Sequence, residues 1–124
     1  MILVIGGAYQ GKLEYVLKKH PDKTVLQCDA ENPKPDFSAD IINSLHLLVL
    51  AQIREGIDTL EFLTGKLPEL KDKVIISDDI SCGVVPVEKE ARQWREATGR
   101  CLVLLSENAD EVIRIFCGIG GRIG

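Results

Sequence analysis

The chain has 124 residues, which is typical of one domain, 1–124, with one hydrophobic core. An apolar fraction of 45% and a charged fraction of 27% are typical of a soluble globular protein. The net charge of −4 argues against a nucleic-acid partner, because phosphate contacts along a nucleic acid need a positive surface. A single nucleotide is not excluded, since its phosphates need only a few backbone N–H groups and one lysine.

Neither a membrane anchor nor a cysteine framework is predicted. No apolar run approaches the ~18 residues of a membrane span. The apolar residues 1–5 lack the basic region and cleavage site of a signal peptide, so we expect a cytoplasmic protein with no membrane partner. The cysteines form no C-x-x-C pair, which predicts four reduced thiols rather than a zinc site or disulfides. They are Cys28, Cys82, Cys101 and Cys117.

The start of the chain predicts a strand, a helix and a second strand. Residues 2–5 are a continuous apolar run followed by two glycines, as in a strand buried on both faces of a parallel sheet. Residues 12–19 have helical spacing and end before Pro21, which disfavours helix in the residue before it. Residues 24–28 predict the second strand.

The middle of the chain has a long helical pattern. Apolar residues recur at helical spacing over 41–53, Gly56 interrupts them, and the pattern resumes over 57–63. We expect the helix to end at residues 65–68, where a glycine and a proline follow. The residues able to cap its start are Asp36 and Ser38.

The last part of the chain alternates again. Residues 74–77 predict a third buried strand, a helix is expected from Pro86 to about residue 106, and residues 110–116 predict a fourth strand. Residues 122–123 are expected to form a short final strand. The glycines of the turn before it are Gly118, Gly120 and Gly121.

A glycine-rich segment joins the first strand to the first helix. It fits the pattern G-x-x-x-x-G-K, and a strand before it and a helix after it are the context that confirms a phosphate-binding loop. Glycines let successive N–H groups converge on a phosphate, and the helix N-terminus adds positive potential. Lys12 would reach the β- and γ-phosphates of ATP or GTP. The expected nucleotide-binding residues are Gly6, Gly7, Ala8, Tyr9, Gln10, Gly11, Lys12 and Leu13.

This loop, together with strands that alternate with helices, predicts the fold class. We expect an α/β domain of the three-layer P-loop NTPase-like type with a mainly parallel sheet. The short final strand is expected to be an antiparallel strand at the C-terminal edge.

Leu13 stands where such loops usually have a serine or threonine whose hydroxyl binds Mg²⁺. A leucine side chain cannot ligate a hard cation, which prefers oxygen. The loop is therefore a complete anion site that lacks one metal ligand, and Mg²⁺-assisted chemistry is either supported by other residues or lost.

Carboxylates follow two of the predicted strands. Asp29 follows the second strand, and Asp78 and Asp79 follow the third. Strand-end acids hold the Mg²⁺ shell in P-loop proteins, and open α/β folds bind ligands at this edge. We therefore expect Asp29 and Asp78 to be metal ligands. Lys12 and Asp79 are the expected catalytic residues. The alternative is that these acids only cap turns, as aspartates after strands often do.

Three further side chains have structural interpretations. His20 lies at a helix end, where it complements the helix dipole. His46 has apolar neighbours, which predicts a partly buried, hydrogen-bonded histidine in the core or an interface. Trp94 is expected to be a packing anchor or part of a subunit contact.

Several segments occur in an order known from one enzyme family. The chain resembles the adenosylcobinamide kinase / adenosylcobinamide-phosphate guanylyltransferase family of cobalamin biosynthesis. That family has a G-G-x-x-x-G-K-S loop, then N-E-V-G-x-G-I-V-P, A-R-x-F-R-D-x-x-G-R and A-D-E-V. The matching segments here are residues 2–12, S-D-D-I-S-C-G-V-V-P at 77–86, A-R-Q-W-R-E-A-T-G-R at 91–100, A-D-E-V at 109–112 and G-I-G at 118–120.

The resemblance implies an activity and a site. The family phosphorylates the side-chain alcohol of adenosylcobinamide with a nucleoside triphosphate, then transfers GMP onto that phosphate through a guanylated histidine. It implies a cobinamide-type substrate and a homotrimer. Asp79 takes the place of the glutamate in N-E-V-G, and Gly83 and Pro86 match the turn that follows. The residues matching the phosphate site are Gly6, Gly7, Gly11 and Lys12, and those matching the later helix are Arg92, Arg95, Gly99 and Arg100.

The chain also departs from the family pattern. Leu13 replaces the metal-binding serine, and Leu102 stands where the family has asparagine. The chain is shorter than the family between the second strand and the long helix, where the guanylated histidine should lie, and neither His20 nor His46 has that histidine's neighbours. We therefore expect the guanylyltransferase half to be lost.

Three functions remain open from the sequence. The first is an NTP-dependent kinase of cobinamide, with Lys12 as phosphate clamp and either Asp29 or Asp40 in place of the family's strand-end acid. The second is a non-catalytic nucleotide-binding paralogue that acts as a sensor or subunit, which Leu13 favours. The third is a structural protein whose loop binds nothing.

Overall fold

A computed structural model describes residues 1–80 and 88–123. Within them, short strands alternate with helices. The strands are β1 (Ile2–Gly6), β2 (Val25–Gln27), β3 (Ile41–Asn43), β4 (Val74–Asp78), β5 (Glu111–Phe116) and β6 (Ile119–Arg122). The helices are α1 (Lys12–Lys19), α2 (Leu45–Arg54), α3 (Thr59–Leu70) and α4 (Lys89–Asn108). Over these ranges, no helix has both the length and the apolar content that a membrane crossing needs.

The strands form one sheet in the order β2-β3-β4-β1-β5-β6. The first five strands are parallel, and β6 pairs antiparallel with β5 at the edge. This confirms the predicted α/β three-layer, P-loop NTPase-like class, including the antiparallel C-terminal edge strand. The first strand lies between β4 and β5, so the strand order reverses there, and Gly6 at its end lies beside Asp78 and Ile115.

Two hydrophobic clusters cover the two faces of the sheet. Leu3 and Ile5 of β1 belong to the cluster that contains residues of α2, α3 and α4. Val4, on the opposite face of the same strand, packs with Val16 of α1. Because successive side chains of a strand point to opposite faces, a strand buried on both sides must be apolar throughout. The continuous apolar run of β1 follows from this position.

The structure corrects the predicted long helix, because residues 41–43 are strand β3. Ile41 and Ile42 are both 0% exposed, and they belong to the clusters on opposite faces of the sheet. Ser44 turns the chain with a positive φ of 61°, and α2 begins only at Leu45. A strand of three residues is too short to show alternation, so its two isoleucines extended the helical spacing of α2 by coincidence.

The predicted end of the second helical segment is also wrong. Helix α3 is capped by Asp58, whose carboxylate accepts a hydrogen bond from the N–H of Glu61 at 3.2 Å, and it continues through Gly65 and Pro68. Leu70, in its last turn, is 1% exposed. Burial of the helix face that carries Leu70 outweighs the local preference of glycine and proline for ending a helix.

The C-terminal turn differs from the predicted one. Cys117 and Gly118 form it, with φ of 51° and 77°, while Gly120 and Gly121 lie inside β6. Positive φ at both central residues gives a tight hairpin whose twist matches that of the strands. The helix start predicted at Pro86 lies outside the described residues.

Gly6 is required by the packing of the sheet. A Cβ at this position would lie 2.6 Å from the carbonyl oxygen of Ile115 in β5. We predict that Gly6→Ala lowers the free energy of unfolding by about 1–3 kcal/mol, because the backbone must shift to relieve the overlap. Gly65→Ala is the matched control, since a Cβ there meets nothing within 4 Å and alanine is favoured over glycine in a helix by up to ~1 kcal/mol. Urea denaturation of both variants measures the difference, and a Gly6→Ala protein as stable as wild type would contradict the close contact of β1 with β5.

Candidate functional site

The loop after β1 lies where the strand order reverses. Open α/β sheets bind ligands at the carboxyl ends of the strands at this position. Tyr9 and Gly11 have left-handed backbone, with φ of 61° and 80°, and α1 begins directly after Gly11. Left-handed residues in a tight turn gather successive backbone N–H groups on one side, which produces an anion-binding concavity. The geometry therefore supports the predicted phosphate loop.

Lys12 is buried, although it lies on the first turn of α1. Its Nζ donates to the carbonyl oxygen of Gly7 at 2.7 Å and lies 2.6 Å from Oδ1 of Asp78. Only 8% of Lys12 is exposed, so the ammonium depends on these two partners in place of water. The side chain thus folds back over the loop instead of extending into solvent.

His46, on the first turn of α2, contacts the backbone of Asp78 and the carboxylate oxygen that Lys12 does not bind. Its Nδ1 accepts a hydrogen bond from the backbone N–H of Asp78 at 3.0 Å, and its Nε2 lies 3.4 Å from Oδ2 of Asp78. Because Nδ1 accepts, a neutral ring carries its proton on Nε2, facing the carboxylate. Burial lowers the pKa of His46; the Asp78 carboxylate opposes this shift and the Lys12 ammonium adds to it.

Trp94 supports this arrangement from α4. Its Nε1 donates to the carbonyl oxygen of His46 at 2.6 Å, and the two rings lie 6.2 Å apart between centroids. The side chain is packed against the cluster under α2, α3 and α4. Trp94 therefore packs on the core, which is one of the two roles that the sequence left open for it. His46 is hydrogen-bonded as predicted, and it is buried more fully than the partial burial that its neighbours predicted.

Asp79 connects the end of β4 to β1 and, beyond it, to β5. Its backbone N–H donates to the carbonyl oxygen of Gly6 at 2.9 Å. Its carboxylate Oδ2 lies 3.2 Å from a guanidinium nitrogen of Arg114 in β5. The structure thus places the backbone of Asp79 against the start of the loop and its carboxylate on Arg114, and its catalytic role stays a prediction.

Asp29 and Asp40 lie elsewhere. Strand β2, which Asp29 follows, is separated from β1 by three strand spacings of about 4.8 Å, roughly 14 Å in all. Oδ1 of Asp29 accepts a hydrogen bond from the backbone N–H of Glu31 at 2.7 Å, within a local turn. Asp40 precedes β3, so it lies at the opposite edge of the sheet, where it binds the N–H and hydroxyl of Thr24. Asp78 is the predicted metal ligand that the structure brings to Lys12; the metal role of Asp29 stays a prediction.

The donors around the loop bear on how Mg²⁺ could be held. Among the residues that the structure describes, no group of three or more His, Cys, Asp or Glu side chains could hold a metal ion. Leu13 packs against the cluster on the α1 face and offers no oxygen. Asp78 supplies one carboxylate. Such a set fits Mg²⁺ that arrives with a nucleotide, because Mg²⁺ commonly binds one or two carboxylates together with phosphates and water.

The β5–β6 turn packs directly against the loop, which the sequence did not reveal. The side-chain Oε1 of Gln10 accepts the N–H of Cys117 at 2.6 Å, and its carbonyl oxygen accepts the N–H of Gly118 at 2.8 Å. A Cβ on Gly11 would lie 3.4 Å from the Cα of Gly118. The loop and the hairpin therefore form one unit.

Asn43 is a further polar residue at this edge that sequence reasoning missed. It ends β3, and its Nδ2 donates to Oε1 of Gln27 at 2.5 Å. The pair Asn43-Ser44 directly before α2 was the available signal, since such residues favour strand-to-helix turns.

The cysteines that the structure describes, Cys28, Cys101 and Cys117, are free. Burial raises the pKa of the Cys28 and Cys101 thiols to about 12, so both are inert packing residues. The predicted family residues Cys82, Gly83 and Pro86 lie outside the described ranges.

The fold defines an α/β protein of the three-layer, P-loop-like class. Residues 38–123 match the family described as cobinamide kinase / cobinamide phosphate guanyltransferase. This match covers more than half of the chain, so the chain belongs to that family, whose members are nucleotide-binding transferases of cobalamin biosynthesis. A search of curated proteins gave no match. The matched segment includes Asp78, Asp79 and the β5–β6 hairpin, and it begins after the phosphate loop.

The lowered pKa of His46 predicts a pH dependence of stability. The unfolded chain binds a proton near the usual histidine pKa of 6.5, whereas the folded chain resists protonation of His46. Stability is therefore full above this value and falls as the pH drops through it, with a slope of at most about 1.4 kcal/mol per pH unit, until the folded pKa is reached. Urea denaturation between about pH 7.5 and 5 measures the slope.

Two variants test whether His46 causes this dependence of stability on pH. His46→Asn keeps an acceptor for the N–H of Asp78 but cannot titrate, so the slope should shrink. His20→Asn leaves the Lys12, Asp78 and His46 contacts intact and should retain it. Equal slopes in wild type and His46→Asn would show that His46 is not the responsible group.

Proposed function

We propose that the chain binds ATP or GTP at the loop and transfers its γ-phosphoryl group to the hydroxyl of a cobinamide-type substrate. The observation that carries this proposal is the buried ammonium of Lys12, which lies inside the loop at the point where the strand order reverses and faces Asp78. The family match supports the transferase class and the type of acceptor.

The contacts suggest how Lys12 changes partner. In the structure it binds the Gly7 carbonyl oxygen and the Asp78 carboxylate, both of which are negative or partly negative. The β- and γ-phosphates carry more charge, so they would take over the ammonium and free Oδ1 of Asp78. Asp78 would then hold Mg²⁺ together with the phosphates, where the ion neutralises charge on the transferred group.

The transfer itself needs few protein groups. The hydroxyl oxygen of the substrate bonds to the γ-phosphorus while the bond from that phosphorus to the bridging oxygen breaks, which leaves the nucleoside diphosphate. The hydroxyl proton passes to a carboxylate, for which Asp79 at the loop is the candidate. Catalysis would rest on positioning and on charge neutralisation by Lys12 and the loop N–H groups.

We also propose that guanylyl transfer through a histidine is lost. The chain contains two histidines. Both ring nitrogens of His46 face Asp78, and the ring is buried, so neither nitrogen can attack a phosphorus. His20 follows the last turn of α1, which places it about 12 Å along the helix from the loop, toward the opposite edge of the sheet.

We predict that Lys12→Ala lowers phosphoryl transfer from radiolabelled ATP or GTP to cobinamide by about 100-fold or more, because the phosphate charge loses its clamp. Lys18→Ala, an exposed position on the same helix, should leave the rate unchanged. Circular dichroism of both variants checks that they are folded. A folded wild-type protein that binds nucleotide but transfers no phosphate would contradict the kinase and favour the non-catalytic paralogue.

Leu13→Ser tests the missing metal ligand. The new hydroxyl can bind Mg²⁺, so we expect the gain in GTP affinity on adding Mg²⁺ to be larger in the variant than in wild type. Leu17→Ser, which removes an equivalent side chain one turn later on α1, is the matched control and should show the wild-type gain. Isothermal titration with Mg²⁺ or with EDTA measures it. Equal gains in all three proteins would show that position 13 does not touch the ion.

A further inference from the structure

Two exposed apolar side chains stand on the hairpin beside the loop. Phe116 is 70% exposed and Ile119 is 73% exposed. They face each other as a cross-strand pair directly before and after the turn. Since Ile115 pairs with Gly6, the last residue of β1, Phe116 lies one residue beyond the end of that strand. The pair therefore rises at the same edge of the sheet as the loop.

The contacts of Gln10 fix this pair relative to the loop. Its side chain and its carbonyl oxygen bind the N–H groups of Cys117 and Gly118, the two residues that lie between Phe116 and Ile119. A Cβ on Gly11 would lie within 4 Å of Gly118, so the loop and the turn also run close together there. The exposed pair therefore has a fixed position relative to the loop.

The charges around the loop set the direction of a bound nucleotide. Lys12, which serves the β- and γ-phosphates, points toward Asp78 at the end of β4. In the proposed binding mode the terminal phosphate would lie on the β4 side of β1. The base, at the other end of the nucleotide, would then extend toward the β5 side, and the hairpin lies on that side.

We infer that Phe116 and Ile119 form the wall against which the base of the bound nucleotide stacks. This inference rests on the proposed nucleotide binding. A nucleobase offers a flat π-face that gains most from an aromatic side chain, and Phe116 presents such a face to solvent. Neither side chain has a hydrogen-bonding group, so the wall holds the base by its face and not by its edge.

Comparing the affinity for GTP with the affinity for its phosphate tail alone isolates the contribution of Phe116 and Ile119 to binding of the base. We predict that Phe116→Ala weakens GTP binding about 5- to 150-fold while leaving the binding of inorganic tripolyphosphate unchanged. Phe116→Tyr keeps the ring and should bind GTP like wild type. Val103→Ala removes another exposed apolar side chain, on α4, and should have no effect. Isothermal titration in Mg²⁺ buffer measures all four proteins.

The outcomes separate this inference from the proposed function. If neither tripolyphosphate nor GTP binds to the wild-type protein, both the proposed phosphate site and the proposed base contact are wrong. If tripolyphosphate binds and Phe116→Ala binds GTP as tightly as wild type, the wall alone is overturned. If Phe116→Ala instead changes the mass measured by light scattering with GTP affinity unchanged, the hairpin is a contact between copies of the chain, which also overturns the wall.

Discussion

The ion pair between Lys12 and Asp78 is the interaction on which the rest of the site depends. Lys12 is only 8% exposed, so its ammonium has lost most of its water and is stable only with charged or polar partners. The fold supplies those partners by placing β4 next to β1 and by turning the loop back at Gly7. His46 in turn holds Asp78 through its backbone and its carboxylate. Three segments distant in sequence, the loop, α2 and β4, thus converge on this ion pair. A phosphate group is the kind of ligand that could replace Asp78 as the partner of Lys12.

The parts that the sequence predicted well are those fixed by local patterns. Strand β1, the glycine loop and α1 follow one another along the chain, so an apolar run, G-x-x-x-x-G-K and helical spacing sufficed. Strand β3 was missed because its position between β2 and β4 comes from pairing with distant residues. For the same reason the sequence could not rank Asp29 against Asp78. Both follow strands, but only the order of the strands shows that Asp78 adjoins β1.

Elsewhere, tertiary packing overrode local preference. Gly65 and Pro68 are poor helix formers, yet α3 passes through both because Leu63 and Leu70 are buried in the core beneath it. At the hairpin, Gly120 lies inside β6 and packs against Tyr15, whose ring a Cβ would meet at 2.4 Å, so packing and not a turn requires this glycine. Neither effect leaves a trace in a window of neighbouring residues.

The phosphate loop lies outside the segment that matches the family, but it is bonded to that segment. The matched segment, residues 38–123, contains Asp78, Asp79 and the hairpin but not the loop. Yet the loop binds all three, through the Lys12 ammonium, the Gly6 carbonyl oxygen and Gln10. These bonds lie on both sides of β1, so moving the loop would break contacts with β4 and β5 at once. The loop is therefore held in place by the segment that carries the family pattern.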